Sequence, residues 1–528
     1  MHSPASPVGV APGDDLSALA WVHGELRRSL ETAHKALRRH LREAEAARGS
    51  DIDGVDPSLL RSARTQIHQG VGALELVGMP RVANVLRAGE AAAQRLVARP
   101  ALADAAAVET IERVSFAVLD FIARQLAGKP VSPVMLFPQY RAVQQLAGAD
   151  RIHPADLWPL DFQWRELPAE PGVTPRASDA DARGVMEGLV LALMRGADRG
   201  MLTATSDFCA ELGAGAEHRH EAALWRLAGA VYQAQGLGRL AVDVYNKRLA
   251  SRLLAQLRLA VRGQHDVSER LAQDLLFFCA HAGDGAAGAP RLAAVRQCWQ
   301  LEQHPTADYE TARLGRHDPA LVTLARKRVA SAKEGWSAVA AGEMHRLDML
   351  GEQFALVADS LGRLLRGGER LGQALQAAAA QTLSAGAAPP ASLAMEVATA
   401  VLYLDATIED GEFDDPALGA RVERLAQRID EVRGGAEMHA LEPWMEALYR
   451  RVSDRQTMGS VVHELRATLS EVENQLDQFF RNPAERAALI PVPGQLGAMR
   501  GVLSVLGLEQ AALAVMHMRD DIDALASI

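Results

Sequence analysis

Apolar residues return at steps of three and four along most of the chain. After Asp14 and Asp15, which offer an N-cap, come Leu16, Leu19, Val22, Leu26, Leu30, Leu37 and Leu41, with Ala33 filling the gap. The spacing predicts a long amphipathic helix with one apolar face that needs partners, ended by Gly49 and Ser50. Asp56 and Pro57 then read as the cap and first position of a second helix, with Leu60, Ile67, Val71 and Leu74 inward and Gly78 closing it. Pro80 opens a third, bearing Val82, Val85, Leu86 and Leu96. A fourth runs from about Ala105 to Leu126 on Val108, Ile111, Leu119 and Ile122. Four helices with short connections predict an up-down bundle over residues 14–128, behind a disordered lead-in at 1–13.

The pattern breaks over residues 129–178. Pro130, Pro133, Pro138, Pro154, Pro159, Pro168, Pro171 and Pro175 are too dense for helices to run through, yet Phe137, Tyr140, Trp158, Phe162 and Trp164 sit among them. This predicts an extended strap packed on helical neighbours, loosening after Ala169. Helical patterns resume over 179–337 as hairpins separated by Gly-containing turns, without a fixed repeat length. A further helical block covers 338–434. A last block, 435–528, carries a long helix at about Val452–Phe480.

Composition sharpens this to an all-α chain. Apolar residues reach 48% while aromatics stand at 5%, with few of the residues that build sheets. A formal charge of -10 gives no basic excess for nucleic acid. Three scattered cysteines, Cys209, Cys279 and Cys298, fit a reducing compartment as small buried hydrophobes. No signal peptide or membrane span is evident, so a cytoplasmic protein without membrane insertion is expected.

Several clusters invite a chemical reading and receive a plain one. His218 and His220 point to opposite sides of a helix, a poor arrangement for a metal. His23, His34, His40 and His463 read as surface or edge residues. The acidic run Asp405, Glu409, Asp410, Glu412, Asp414 and Asp415 lacks the pattern of a calcium loop and reads as a solvated helix end. Trp225, Tyr232 and Tyr245 read as core. No phosphate-cradling loop or ATP-binding kinase core is present, and no cofactor or metal is expected.

A repeat carries more. Counting His68 as zero, glycines fall at plus four, Gly72, and plus ten, Gly78. Placing Gly497 at zero puts Gly501 and Gly507 at the same offsets, again on a second helix after a long amphipathic one. The frame resembles the histidine phosphotransfer (Hpt) domain, in which an imidazole on the water side of a bundle helix accepts a phosphoryl group. A glycine one turn on gives room for an approaching receiver domain, and a lysine at plus three helps electrostatically. Here plus three is Val71 in the first copy and Arg500 in the last, which has no histidine to phosphorylate. His68 is the candidate phosphoacceptor, with Arg64, Gly72, Gly78, Arg500, Gly501 and Gly507 as candidate phosphotransfer or docking positions. An exposed histidine on a degenerate docking face, or one with no role, remains open at this stage.

Longer strings resemble a narrower family. Leu136-Phe-Pro-Gln-Tyr-Arg, Asp243-Val-Tyr-Asn-Lys-Arg and Val492-Pro-Gly-Gln-Leu-Gly are similar to the N-terminal array of Chp/PilL-type hybrid histidine kinases of type IV pilus systems, and to the related FimL-type scaffolds. The resemblance implies Hpt-like four-helix bundles flanking a helical-hairpin middle domain. It also implies phosphorelay or scaffold signalling to twitching motility, at the cell pole. The partners it implies are response-regulator receiver domains, polar pilus scaffold proteins and the chain's own C-terminal kinase domains, were this the front of a longer hybrid kinase. The short tail after Gly507 leaves the last bundle one helix short. Either a helix such as Met395–Ile408 fills the slot or the chain continues.

Overall fold

The computed structural model describes residues 14–48, 56–129, 131–196, 198–283, 288–304, 306–411, 413, 415–437, 439–482 and 486–527. The lead-in at 1–13, Gly49, Ser50, Pro130, Glu412 and Asp414 lie outside the described residues. Among those described, nineteen α-helices and no strand occur, in two compact units that divide at Leu321 and Val322.

The first unit opens with helices α1 (Asp14–Arg48), α2 (Ser58–Leu76), α3 (Pro80–Ala98) and α4 (Ala105–Leu126). Leu26, Leu30, Ala33 and Leu37 of α1 are almost wholly buried, as the three-and-four spacing requires. Asp104 caps α4 by accepting from the Ala107 amide at 2.8 Å. α1 and α2 run antiparallel: Ser29 Oγ donates to the Gln66 carbonyl at 2.8 Å, and Leu26 packs on Gly70. Two α1 histidines depart from the expected surface position. His34 and His40 are 7% and 1% exposed, and His34 meets the edge of Phe116. Periodicity had placed them beside the charged face, but each sits close enough to the Leu30–Leu37 stripe to be covered by neighbouring helices.

The strap is partly helical. Two short 3₁₀ turns, Pro133–Leu136 and Pro154–Leu157, bracket helix α5 (Phe137–Ala147). Proline density did not forbid α5, because Pro138 stands in its first turn, where no amide hydrogen is needed. Phe137 and Trp158 are buried, and α5 packs on α3 and α4. The strap then meets α6 (Ala180–Arg195), α7 (Arg199–Gly215), α8 (Arg219–Gly236), α9 (Val244–Val261), α10 (Glu269–His281) and α11 (Pro290–Trp299). Bundle, strap and hairpins share one apolar core running from Leu19 to Leu314, with Trp225, Tyr232 and Tyr245 inside it.

A charged knot ties the strap to α9 and α10. Asp274, fully buried, accepts from Arg151 at 2.5 Å and pairs with Arg252; Asp156 pairs with Arg151 and Arg270. Each buried carboxylate thus meets two guanidinium groups, which offsets the cost of removing it from water. His153 lies against Asp274 and three aromatic rings, and burial pushes its pKa down to about 3.

The second unit contains most of α12 (Pro319–Ala340), then α13 (Leu347–Leu364), α14 (Gly368–Ala385), α15 (Ala391–Asp410), α16 (Leu418–Arg433), α17 (Pro443–Arg481), α18 (Val492–Val505) and α19 (Glu509–Ser527). By length and composition α15 is apolar enough to cross a membrane, but 61% of that apolar window is buried. Its Glu396 forms a two-pronged pair with Arg428 at 2.7 and 2.9 Å, both side chains being almost fully buried. That marks α15 as a core helix.

The acidic run at its end is not simply solvated. Asp405 pairs with Lys333, Glu409 with Arg326 and Arg455, and Asp410 with Arg451 and Arg455. These partners come from α12 and α17, beyond the reach of a local reading. The last helices form a separate small core of Val472, Phe479, Leu496, Met499, Leu503, Val515 and Ile522. No residue of α15 contributes to that core, so Met395–Ile408 does not fill the fourth place.

Candidate functional site

Helix α2 buries Ile67, Gly70, Val71 and Leu74, which turns Arg64, His68 and Gly72 to the opposite side at successive turns. The His68 ring is 67% exposed. Its Nδ1 lies 3.1 Å from Oε2 of Glu90 on α3, and Arg64 Nη2 donates to the other oxygen of that carboxylate at 3.4 Å. A carboxylate can only accept, so the bond places the imidazole proton on Nδ1 and leaves the Nε2 lone pair uncommitted. Glu90, only 16% exposed, holds the ring from behind.

Beside the ring the surface is open. No heavy atom comes within 4 Å of the Cβ position at Gly72, and the same holds for Gly24 on α1. The Ser29–Gln66 and Leu26–Gly70 contacts set Gly24 and Gly72 level along the antiparallel pair, one turn from His68. About a turn further on, Trp21 and Leu76 are 68% and 89% exposed, unusual for such large apolar side chains. Glu90 and Gly24 lie on neighbouring helices, and no local spacing rule around His68 points to them.

The repeat extends to local geometry. Gly78 has φ +73° and Gly507 φ +72°. In each case the glycine amide bonds three residues back, and the next amide bonds five back, Met79 to Leu74 and Leu508 to Leu503. Both are Schellman closures that need a residue in the left-handed region. Buried positions match as well: Ala63, Ile67, Gly70 and Leu74 correspond to Val492, Leu496, Met499 and Leu503. The plus-three position is where the copies part. Val71 is 4% exposed, so the place of the expected cation is core in the first copy, whereas Arg500 is exposed. Arg64, His68 and Gly72 therefore lie along one face of α2 on the first unit, with Gly78 closing the helix end. Arg500, Gly501 and Gly507 lie on the second, around Gly497 in place of an imidazole.

Elsewhere, a pocket of about 400 Å³ lies under the strap at Leu167–Pro175, against α7, α8 and α11. Its inner cation, Arg291, is already bound to Glu170, Asp207 and Ser206. Among the described residues no group of His, Cys, Asp or Glu could hold a metal ion.

Fold and site together define an all-helical protein that presents a carboxylate-backed histidine and two exposed apolar side chains on a bundle. Residues 171–312 match the family model described as the FimL scaffold protein second domain. Over 291 residues the chain is 27% identical to "Scaffold protein FimL" of Pseudomonas aeruginosa, a match covering 53% of this chain and 48% of that one. The chain is thus related to FimL, and it spans about half the length of that curated relative. No solved structure matches.

Proposed function

We propose that this chain is a non-catalytic scaffold of a type IV pilus control pathway, holding regulators on its bundle faces without passing phosphate. The match of the middle domain to the FimL second domain carries this reading. The site agrees with it: the plus-three position is core, Arg64 is engaged with Glu90, and the second copy has no imidazole. Exposed Trp21 and Leu76 flanking the glycine level supply an apolar anchor for a partner, of the kind that dominates binding energy. Receiver domains and polar pilus proteins are the proposed occupants, at the cell pole. In a strain lacking the chain, His68→Gln is expected to restore twitching as well as the wild type, while Trp21→Ala together with Leu76→Ala is not. Failure of His68→Gln, with the protein present at normal level, would overturn the reading.

A second reading rests on one observation, the exposed His68 ring with Nδ1 held by Glu90. In it the Nε2 lone pair attacks the phosphorus of a receiver's aspartyl phosphate. The P–O bond to the aspartate breaks, the carboxylate leaves, and the Nδ1 proton stays on its bond to Glu90. Kinship with the front portion of a hybrid kinase belongs to this reading.

A further inference from the structure

The strap between Leu167 and Arg176 is pinned at both ends and arched between them. Pro168, Pro171 and Pro175 keep it out of a helix, and Gly172, at φ +82°, follows Pro171 in a tight turn. On the near side Trp299 Nε1 donates to the Gln163 carbonyl at 3.0 Å, and Arg165 Nη1 to the Cys298 carbonyl at 2.6 Å. On the far side the Arg176 amide donates to the Glu211 carbonyl at 3.0 Å. The Arg176 carbonyl lies so near Gly215 that any Cβ there would meet it at 2.1 Å, so only glycine lets the strap close on α7. Beneath the arch α7, α8 and α11 offer Ala210, Ala214, Gly229 and Ala294, too small to reach the roof. A cavity of about 400 Å³ is left, within the range of small-molecule sites.

Its walls select what can fill it. The roof is Leu167, Val173 and prolines, the floor is mostly alanine and Val295, and among the described residues no aromatic ring lines it. Such walls suit a flexible aliphatic chain and give a planar ring no face to stack on. Charge narrows the choice further. Two guanidinium groups line the cavity against one carboxylate, that of Glu170. Arg291 holds this carboxylate at 2.8 Å and takes Asp207 as well. Arg226 meets the strap at Leu167, ahead of Glu170, donating from Nη1 to the carbonyl at 2.5 Å. It pairs with no carboxylate among the described residues. A guanidinium carries five N–H donors in a fork that fits a carboxylate, so an unmatched one beside apolar walls favours an anionic head on an apolar body.

We propose that this cavity binds an aliphatic carboxylate of medium chain length, its head on Arg226 and its chain under the arch. Glu170, in the same lining, opposes the ligand's charge and so tempers its affinity. Occupancy joins the strap to α8 and α11 and stabilises the middle hairpins by mass action. The site gives the first unit a small-molecule input on elements other than α2, which carries His68.

Isothermal titration calorimetry of the full chain with octanoate, and with 1-octanol as its uncharged counterpart, tests this. Octanoate is expected to bind in a single saturable site, and 1-octanol at least about tenfold more weakly. Arg226→Gln should lower octanoate affinity about tenfold and leave that of 1-octanol unchanged. Ala294→Phe, which fills the floor, should abolish binding of both. Glu170→Gln should strengthen octanoate binding, a gain that misfolding cannot produce. Far-UV circular dichroism checks that each variant is folded. No octanoate binding, equal affinity for 1-octanol, affinity unaltered in Arg226→Gln or in Ala294→Phe, or no gain in Glu170→Gln would overturn the proposal.

Discussion

At the scale of single residues, burial decides the outcome more than residue type. Val71 occupies the position where a phosphotransfer frame places lysine, but the phase of α2 points it into the core. Val71→Lys should therefore destabilise the first bundle by roughly 2 kcal/mol or more through an unpaired buried ammonium, and not improve any transfer. Urea unfolding followed by circular dichroism checks this; an unchanged midpoint would place the position at the surface. Arg428 is the opposite case, a buried charge that is fully partnered. It donates to both oxygens of Glu396 and to the carbonyls of His439 and Ala440. Arg428→Ala strands Glu396 as a lone buried carboxylate, and is expected to cost about 3–5 kcal/mol in the second unit. Replacing both partners by apolar residues should cost much less, and the same denaturation experiment separates the two outcomes.

Among the elements, the helices are where sequence reasoning carried furthest. The stripe from Leu19 to Leu37 and the closing glycine at 78 were legible because a 3.6-residue period and a left-handed closure are local requirements. Gly78→Ala and Gly507→Ala should each cost about 1 kcal/mol for strain at positive φ, with little loss of packing, since no atom crowds either position. Thermal melts of the two variants check this; a stabilised variant would refute the shared closure. The strap was legible in its aromatics but not in α5, whose Pro138 looks like a breaker until it is seen to stand in the first turn. The site was half legible. The spacing of His68, Gly72 and Gly78 is written in one helix, whereas Glu90, Gly24 and the Arg partners of the acidic run come from other helices and left no local pattern.

For the molecule as a whole, buried histidines tie stability to pH. Burial pushes His34 and His281 down to about 4 and His153 to about 3, from an ordinary 6.5. Between those values the unfolded chain binds more protons than the folded one, so stability is complete above about pH 6.5 and falls as pH drops toward 4. Each group can withdraw on the order of 3 kcal/mol, all of it from the first unit. Melts from pH 7 to pH 4 should show the first unit losing stability steeply. His34→Gln should flatten part of that slope, and an unaltered slope would contradict the burial of the ring.

The central claim is that the bundle holds partners without passing phosphate. Its most direct test mixes the wild-type chain with a receiver domain charged with ³²P-labelled aspartyl phosphate, then separates the proteins after alkaline treatment that spares phosphohistidine. The account predicts that the receiver binds and that no label moves to the chain. Label on the wild type that is lost in His68→Gln would contradict it.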